Sequence, residues 1–211
     1  MKTTWRMRNA RAAFLIPTFL FLVLAFITIT VELNALKTLD QAAGFWVQRH
    51  ITPMRTTVLL RWTSLGATWL VLPVTFIVGV LLALNRRTFW LRRLIWSVPV
   101  CMLSVEIFKR LFQRPRPIVP HPLLQLATYS FPSGHTAAAT VFYGFLAILI
   151  CSRTRRSVYQ ALVWTTAVAV IAGVAFSRLY LGVHYLTDIA GGLILGLTWL
   201  SLSAYIADLR Q

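Results

Sequence analysis

The stretch Ser-Arg-Leu-Tyr-Leu-Gly-Val-His-Tyr-Leu-Thr-Asp, residues 177–188, lies between two long apolar runs, yet it holds an arginine, a histidine and one of only five acidic residues in the chain. A helix that begins near His184 places Asp188 one turn further on, on the same face. A carboxylate there holds the imidazole in one tautomer and leaves its other nitrogen free to attack. Arg178 stands upstream, where it can hold the anion under attack. The alternative is a polar loop between membrane helices with a capping Asp188, and this stretch alone does not separate the two.

The apolar residues of the chain come in blocks of about twenty, as a bilayer requires of a helix that crosses it. The 211 residues are 58% hydrophobic with a mean hydropathy of +0.71, and the charged residues, 12% of the total, cluster between the blocks. We therefore predict an all-α integral membrane bundle of six transmembrane helices that forms a single membrane-embedded domain over residues 1–211.

The six predicted spans cover about residues 12–31, 63–84, 94–108, 135–151, 158–176 and 185–206. The first is too long for the core of a cleaved signal peptide. Pro73 predicts a kink in the second span, and Gly191, Gly192 and Gly196 predict close helix packing in the last. Residues 32–60 mix polar and apolar side chains, which is typical of a short interfacial helix in the first outer loop.

The net charge of +16 would suggest a nucleic-acid partner in a soluble protein. Here Lys and Arg fall mainly at the ends of apolar runs, so membrane topology and anionic headgroups explain them more simply, and we predict no nucleic-acid partner. Six spans put both termini on one side. That side carries 12 Lys and Arg against 9 on the other, which favours cytoplasmic termini. Residues 109–135 and 177–188 then converge at the outer face.

The fourth predicted helix opens with Phe-Pro-Ser-Gly-His, residues 131–135. Ser133 is suited to cap the helix. Backbone N–H groups at such a start, with Gly134 allowing close approach, form a cradle for an anion. This segment therefore predicts an anion site.

Three cations, Lys109, Arg116 and Arg178, fall around that cradle. They match a phosphoryl group better than a carboxylate, because a phosphoryl group has several oxygens to hold and arginine offers paired donors. Arg114 has two open roles, contact with lipid headgroups or with a second phosphate of the substrate.

The two histidines differ in their neighbours. His184 has Asp188 as a partner and is the better nucleophile, whereas His135 has no nearby acid in the sequence and suits a general acid that later acts as a base toward water. The predicted intermediate is a phosphohistidine. The chain offers no second carboxylate or Cys/His cluster for a metal, so we predict metal-independent chemistry and no cofactor.

Three motifs together, Lys-x6-Arg-Pro at 109–117, Pro-Ser-Gly-His at 132–135 and Ser-Arg-x5-His-x3-Asp at 177–188, resemble the signature of the type-2 phosphatidic acid phosphatase superfamily. The resemblance implies a multi-pass lipid phosphatase. It implies that phosphate binds to Lys109, Arg116, Ser133, Gly134 and Arg178, and that His135, His184 and Asp188 form the catalytic group.

The substrate is predicted from the resemblance alone. Small bacterial members of the superfamily act on undecaprenyl diphosphate, phosphatidylglycerophosphate or phosphatidic acid, and undecaprenyl diphosphate is our first choice. The predicted location is a bacterial inner membrane with the active site at the periplasmic face. The alternatives are a lipid A phosphatase or phosphotransferase, and a phospholipid-binding or transport protein without catalysis. The oligomeric state is not predicted.

Overall fold

The structure is a computed structural model, and it describes residues 18, 21–22, 34–118, 123–124 and 126–208. These residues form α-helices joined by turns and one short 3-10 helix, Ser64–Gly66. In chain order the helices are α1 (Asn34–Gln48), α2 (Pro53–Thr63), α3 (Thr68–Leu84), α4 (Thr88–Phe112), α5 (Gly134–Cys151), α6 (Ser157–Tyr180) and α7 (Leu186–Asp208).

The helix α5 is the centre of the bundle. It packs against α3, α4, α6 and α7, and about half of its residues are buried. Its apolar side chains meet those of α4 and α7 in the main core, which includes Val98, Val105, Val141, Phe145 and Leu195. Because α5 begins at Gly134, this packing places the predicted anion cradle at one end of the bundle, between its neighbours.

Three helices, α5, α6 and the segment Leu186–Ala204 of α7, are long and apolar enough to cross a membrane, and they correspond to the last three predicted spans. The helices α2 and α3 add a fourth candidate membrane span if the two are read as one broken span. The helix α4 runs through the third predicted span but carries charged residues near both ends. The first predicted span lies outside the described residues except for residues 18, 21 and 22. The count of six spans therefore stays a prediction.

The second predicted span contains a break that the sequence does not predict. The sharp change of direction, 41°, lies between α2 and α3, whereas α3 continues through Pro73. The break follows from tertiary packing, because a Cβ atom on Gly66 would lie 2.7 Å from the carbonyl oxygen of His135. Only glycine permits this approach of the break to the start of α5.

The first outer loop was predicted to hold one short interfacial helix, and the structure contains two helices, α1 and α2. The helix α1 packs against α6 and α7 and buries Asp40 and Val47, while Phe45 and Trp46 are exposed. Thr52 caps α2 by accepting a hydrogen bond from the backbone N–H of Arg55. This loop is thus fixed to the same end of the bundle as His184.

The predicted close packing at the glycines of the last span is present. A Cβ atom on Gly192 would lie 2.5 Å from the carbonyl oxygen of Ser133, and one on Gly196 would lie 2.7 Å from Cβ of Thr140. The backbones of α5 and α7 therefore approach each other directly below the predicted site.

Replacing Gly192 by alanine is expected to separate α5 from α7 and to lower the free energy of unfolding by about 2 kcal/mol, as an overpacked site does. In a thermal unfolding scan of the detergent-purified protein this corresponds to a fall in Tm of about 5 °C. The matched control is Gly79→Ala, whose Cβ would lie 3.6 Å from Leu94 at ordinary contact distance. Equal Tm values for the two variants would contradict the prediction.

Candidate active site

His184 and Asp188 lie together at the start of α7, as the sequence spacing predicts. Nδ1 of His184 lies 3.4 Å from Oδ2 of Asp188, and the same oxygen accepts a hydrogen bond from the backbone N–H of Tyr185 at 2.9 Å. The other ring nitrogen, Nε2, lies 3.4 Å from Nη1 of Arg116. The imidazole therefore turns one nitrogen to a carboxylate and the other to a cation.

The pKa of His184, which lies in the turn between α6 and α7, falls from its ordinary value to about 4. Burial is the main cause, because it penalises the charged imidazolium. The hydrogen bond and the charge of Asp188 oppose this shift, while the charges of Arg178 and Arg116 add to it. The ring is therefore neutral near pH 7, the state that a nucleophile requires.

Arg178 is a buried cation with an open hydrogen-bond donor. It lies in the last turn of α6 with 2% of its surface exposed, and Nη1 donates to Oγ1 of Thr63 at 3.0 Å. Its Nε has no hydrogen-bond partner among the described residues. Because a buried donor without a partner is costly, the site is suited to an anion that accepts this bond.

Lys109 and Arg116 bring two further positive charges to the same place. Lys109 is buried in the last turn of α4, and Arg116 follows in the connector, where it donates to the carbonyl oxygens of Thr128 and Val183. Neither these two nor Arg178 forms an ion pair with a described carboxylate. The three predicted phosphate-binding cations therefore have no direct carboxylate partner among the described residues, although the charge of Asp188 acts on Lys109 and Arg116 from further away.

His135 lies in the first turn of α5, within electrostatic range of His184 and of all three cations. The structure thus brings the two histidines and the cations of the prediction to one end of the bundle. Their roles in binding and catalysis stay predictions.

The start of α5 differs in detail from the prediction. Ser133 occupies the capping position, but its hydroxyl makes no capping bond and pairs instead with Oγ1 of Thr136 at 2.9 Å. Its backbone N–H donates to the carbonyl oxygen of Asp188 at 3.0 Å, which ties α5 to α7. Gly134 lies against Val105 of α4. Phosphate binding by Ser133 and Gly134 stays a prediction.

The sequence leaves two ligand-binding roles open for Arg114, and the structure places this residue against protein carboxylates. It donates to Oδ1 of Asp188, to Oγ1 of Thr187 at 2.8 Å and to Oδ2 of Asp40 at 2.9 Å. Sequence reasoning gave Asp40 no role. The one signal available was its rarity as an acidic residue beside an apolar block.

Metal ligands do not gather at this site. Across residues 34–118, 123–124 and 126–208, no group of three or more His, Cys, Asp or Glu side chains is placed to hold a metal ion. Metal independence stays a prediction that an assay in EDTA tests.

Comparison with known proteins identifies the family. The model of the PAP2 superfamily matches residues 90–211. A phosphatidylglycerophosphatase B from Bacillus subtilis is 30% identical over 182 residues, which are 86% of this chain and 89% of the relative. The chain belongs to the PAP2 superfamily. The family prediction from the three motifs is thereby confirmed, and the chain is a PAP2-type membrane lipid phosphatase.

Solved structures support this assignment. The crystal structure of a transmembrane PAP2-type phosphatidylglycerolphosphate phosphatase from Bacillus subtilis aligns with a TM-score of 0.79 and 27% identity, over 93% of this chain and 96% of that one. Among the relatives in sequence, a lipid A 4'-phosphatase from Porphyromonas gingivalis is 30% identical, but over only 62% of this chain and 57% of its own length.

We expect the imidazole of His184 in this PAP2 phosphatase to titrate with a midpoint near pH 4, because burial disfavours the imidazolium. Asp188→Asn should move the midpoint lower still, since the carboxylate favours the protonated ring. NMR spectra of protein with isotope-labelled histidine, recorded from pH 3 to 8, measure both midpoints. The His184→Gln variant assigns the resonance. A wild-type midpoint above pH 6 would contradict the prediction.

Arg178→Lys is expected to weaken phosphate binding by about 10-fold or more, because lysine cannot reproduce the fixed donors of the guanidinium. The measurement is inhibition by inorganic phosphate in a turnover assay. Arg87→Lys, an exposed arginine between α3 and α4, is the matched control and should leave the inhibition constant unchanged. Equal inhibition constants for Arg178→Lys and wild type would show that Nε of Arg178 does not hold phosphate.

Proposed function

We propose that this PAP2 phosphatase removes the terminal phosphate of phosphatidylglycerophosphate through a phosphohistidine on His184. The observation that carries the chemistry is the buried His184, with its lowered pKa, beside three cations that form no ion pair with a described carboxylate. The choice of lipid is supported by the matches to Bacillus subtilis, a relative in sequence that covers 86% of this chain and a solved structure that covers 93% of it. None of the relatives named above is an undecaprenyl diphosphatase, so phosphatidylglycerophosphate replaces undecaprenyl diphosphate, our first choice from sequence.

In the first step Nε2 of His184 attacks phosphorus, and the bond between phosphorus and the glycerol oxygen breaks. The bound phosphate, as a neighbouring anion, favours the protonated form of His135, which donates its proton to that oxygen, and phosphatidylglycerol leaves. In the second step His135 takes a proton from water while the water oxygen attacks phosphorus. The P–N bond then breaks, its electron pair returns to Nε2, and inorganic phosphate is released. Lys109, Arg116 and Arg178 stabilise the charge on the transferred group throughout.

The lipid lies on the His135 side of the site. In-line transfer puts the leaving oxygen opposite the attacking nitrogen, next to the group that protonates it. His135 lines a groove of about 640 Å³ whose other walls include Trp69, Leu72 and Pro73 of α3. This surface is apolar and opens on the outside of the bundle, which suits a lipid whose tails stay in the bilayer. The predicted topology puts the site at the periplasmic face of the inner membrane, with cytoplasmic termini.

The detergent-purified protein is expected to release phosphate from phosphatidylglycerophosphate in EDTA, faster than from phosphatidic acid, undecaprenyl diphosphate or lipid A phosphate. His184→Ala should lower the rate by at least about 1,000-fold, because it removes the nucleophile. Quenching the turnover of labelled substrate with alkaline detergent should trap a base-stable, acid-labile phosphoenzyme in the wild type. His50→Ala, which removes an exposed histidine on the loop between α1 and α2, is the control and should keep full activity.

The other outcomes each decide against part of the proposal. Faster release from undecaprenyl diphosphate or a lipid A phosphate would show that phosphatidylglycerophosphate is not the preferred substrate. Transfer of the label to a lipid acceptor instead of water would make the protein a phosphotransferase. Lipid binding without turnover, or full activity in His184→Ala, would overturn the catalytic proposal.

A further inference from the structure

Arg114 joins two buried carboxylates that are distant in the sequence. Its Nη1 donates to Oδ1 of Asp188, and its Nη2 donates to Oδ2 of Asp40 at 2.9 Å. The guanidinium carbon lies 4.3 Å from the ring centre of Tyr185, a distance at which the ring also attracts the cation. Two carboxylates and one aromatic face thereby fix the guanidinium group.

The hydrogen bonds of Asp188 show why this matters for the nucleophile. Oδ2 faces Nδ1 of His184 and the N–H of Tyr185, and among the described residues Oδ1 pairs only with Arg114. Asp188 has no exposed surface, so water cannot replace Arg114 as a donor. Without Arg114 the carboxylate would hold a buried, unpaired oxygen and would be free to rotate away from His184.

Asp40 holds the far side of Arg114. Its Oδ1 accepts from the backbone N–H of Thr187 at 3.0 Å, and its Oδ2 accepts from Oγ1 of Thr187 at 2.7 Å as well as from Arg114. Asp40 is only 4% exposed. Thr187 directly precedes Asp188, so Asp40 fixes both the cation that holds Asp188 and the backbone that carries it.

The helix α1 that carries Asp40 also forms a wall of the site. A cavity of about 830 Å³ reaches His184 and is lined by Asp40, Gly44, Gln48 and other residues of α1. This helix precedes residues 90–211, the part that the family model matches. Asp40 therefore adds an element to the site that the three motifs do not contain.

We propose that Asp40 and Arg114 are positioning residues, which fix the carboxylate of Asp188 so that it holds His184 in the attacking orientation. The inference rests on the proposed phosphohistidine mechanism. Neither residue touches the phosphoryl group in this proposal. They act on the rate of attack through Asp188 and leave phosphate binding to the other cations.

The test is a double-mutant cycle on the full-length protein with phosphatidylglycerophosphate. Asp40→Asn should lower kcat by about 10-fold to 100-fold, as loss of a buried supporting partner does, with KM and phosphate inhibition within about 2-fold of wild type. In an Asp188→Asn background the same change should alter kcat by less than about 2-fold, since its effect passes through Asp188. Lys37→Gln, which also removes one charge but of the opposite sign, on an exposed residue of α1, is the control and should leave kcat unchanged in both backgrounds.

Equal losses of kcat in the two backgrounds would overturn the inference, because a merely structural role is additive with Asp188→Asn. An unchanged kcat in Asp40→Asn would overturn it as well. If Asp40→Asn does not fold, Arg114→Lys keeps the charge but cannot bridge two carboxylates, and the same cycle applies to it. If the wild type shows no turnover, the proposed function is wrong. If it turns over and the losses of kcat are additive, only this inference is wrong.

Discussion

The whole site depends on one carboxylate, that of Asp188, which has no exposed surface. A buried charge is tolerated only when partners replace the water it has lost. Those partners come from separate parts of the chain: the turn before α7 supplies His184 and a backbone N–H, and the connector after α4 supplies Arg114. The backbone of Asp188 adds a further link, because its carbonyl oxygen accepts from Ser133 at the start of α5. The hydrogen bonds that Asp188 requires bring together the segments that carry the chemistry.

The balance of charge at this end of the bundle explains the preference for phosphate. Asp188 and Asp40 share Arg114, so one cation serves both carboxylates. The remaining cations, Lys109, Arg116 and Arg178, have no described carboxylate in an ion pair. Lys109 and Arg178 are buried, and a buried charge is stabilised by a partner of opposite charge, which a phosphoryl group with two negative charges supplies.

The sequence predicts those parts of the structure that depend on local pattern. The apolar runs locate α5 and α7 to within a few residues, and the spacing of His184 and Asp188 gives their contact, because both are set by the helix itself. The end of α6 is missed, since the helix continues past the apolar run to include Arg178. Asp40 is missed for a different reason: its contact with Thr187 spans 147 residues, and no periodicity in either segment encodes it.

The break between α2 and α3 shows how such a distant contact serves the site. Thr63 ends α2 and accepts a hydrogen bond from Arg178, while Gly66 brings the break against the carbonyl oxygen of His135. At this bend Arg178 has one nitrogen held by Thr63, while its Nε has no hydrogen-bond partner among the described residues. The interruption of the predicted span thus lies where two distant residues of the predicted site, Arg178 and His135, meet the same short segment.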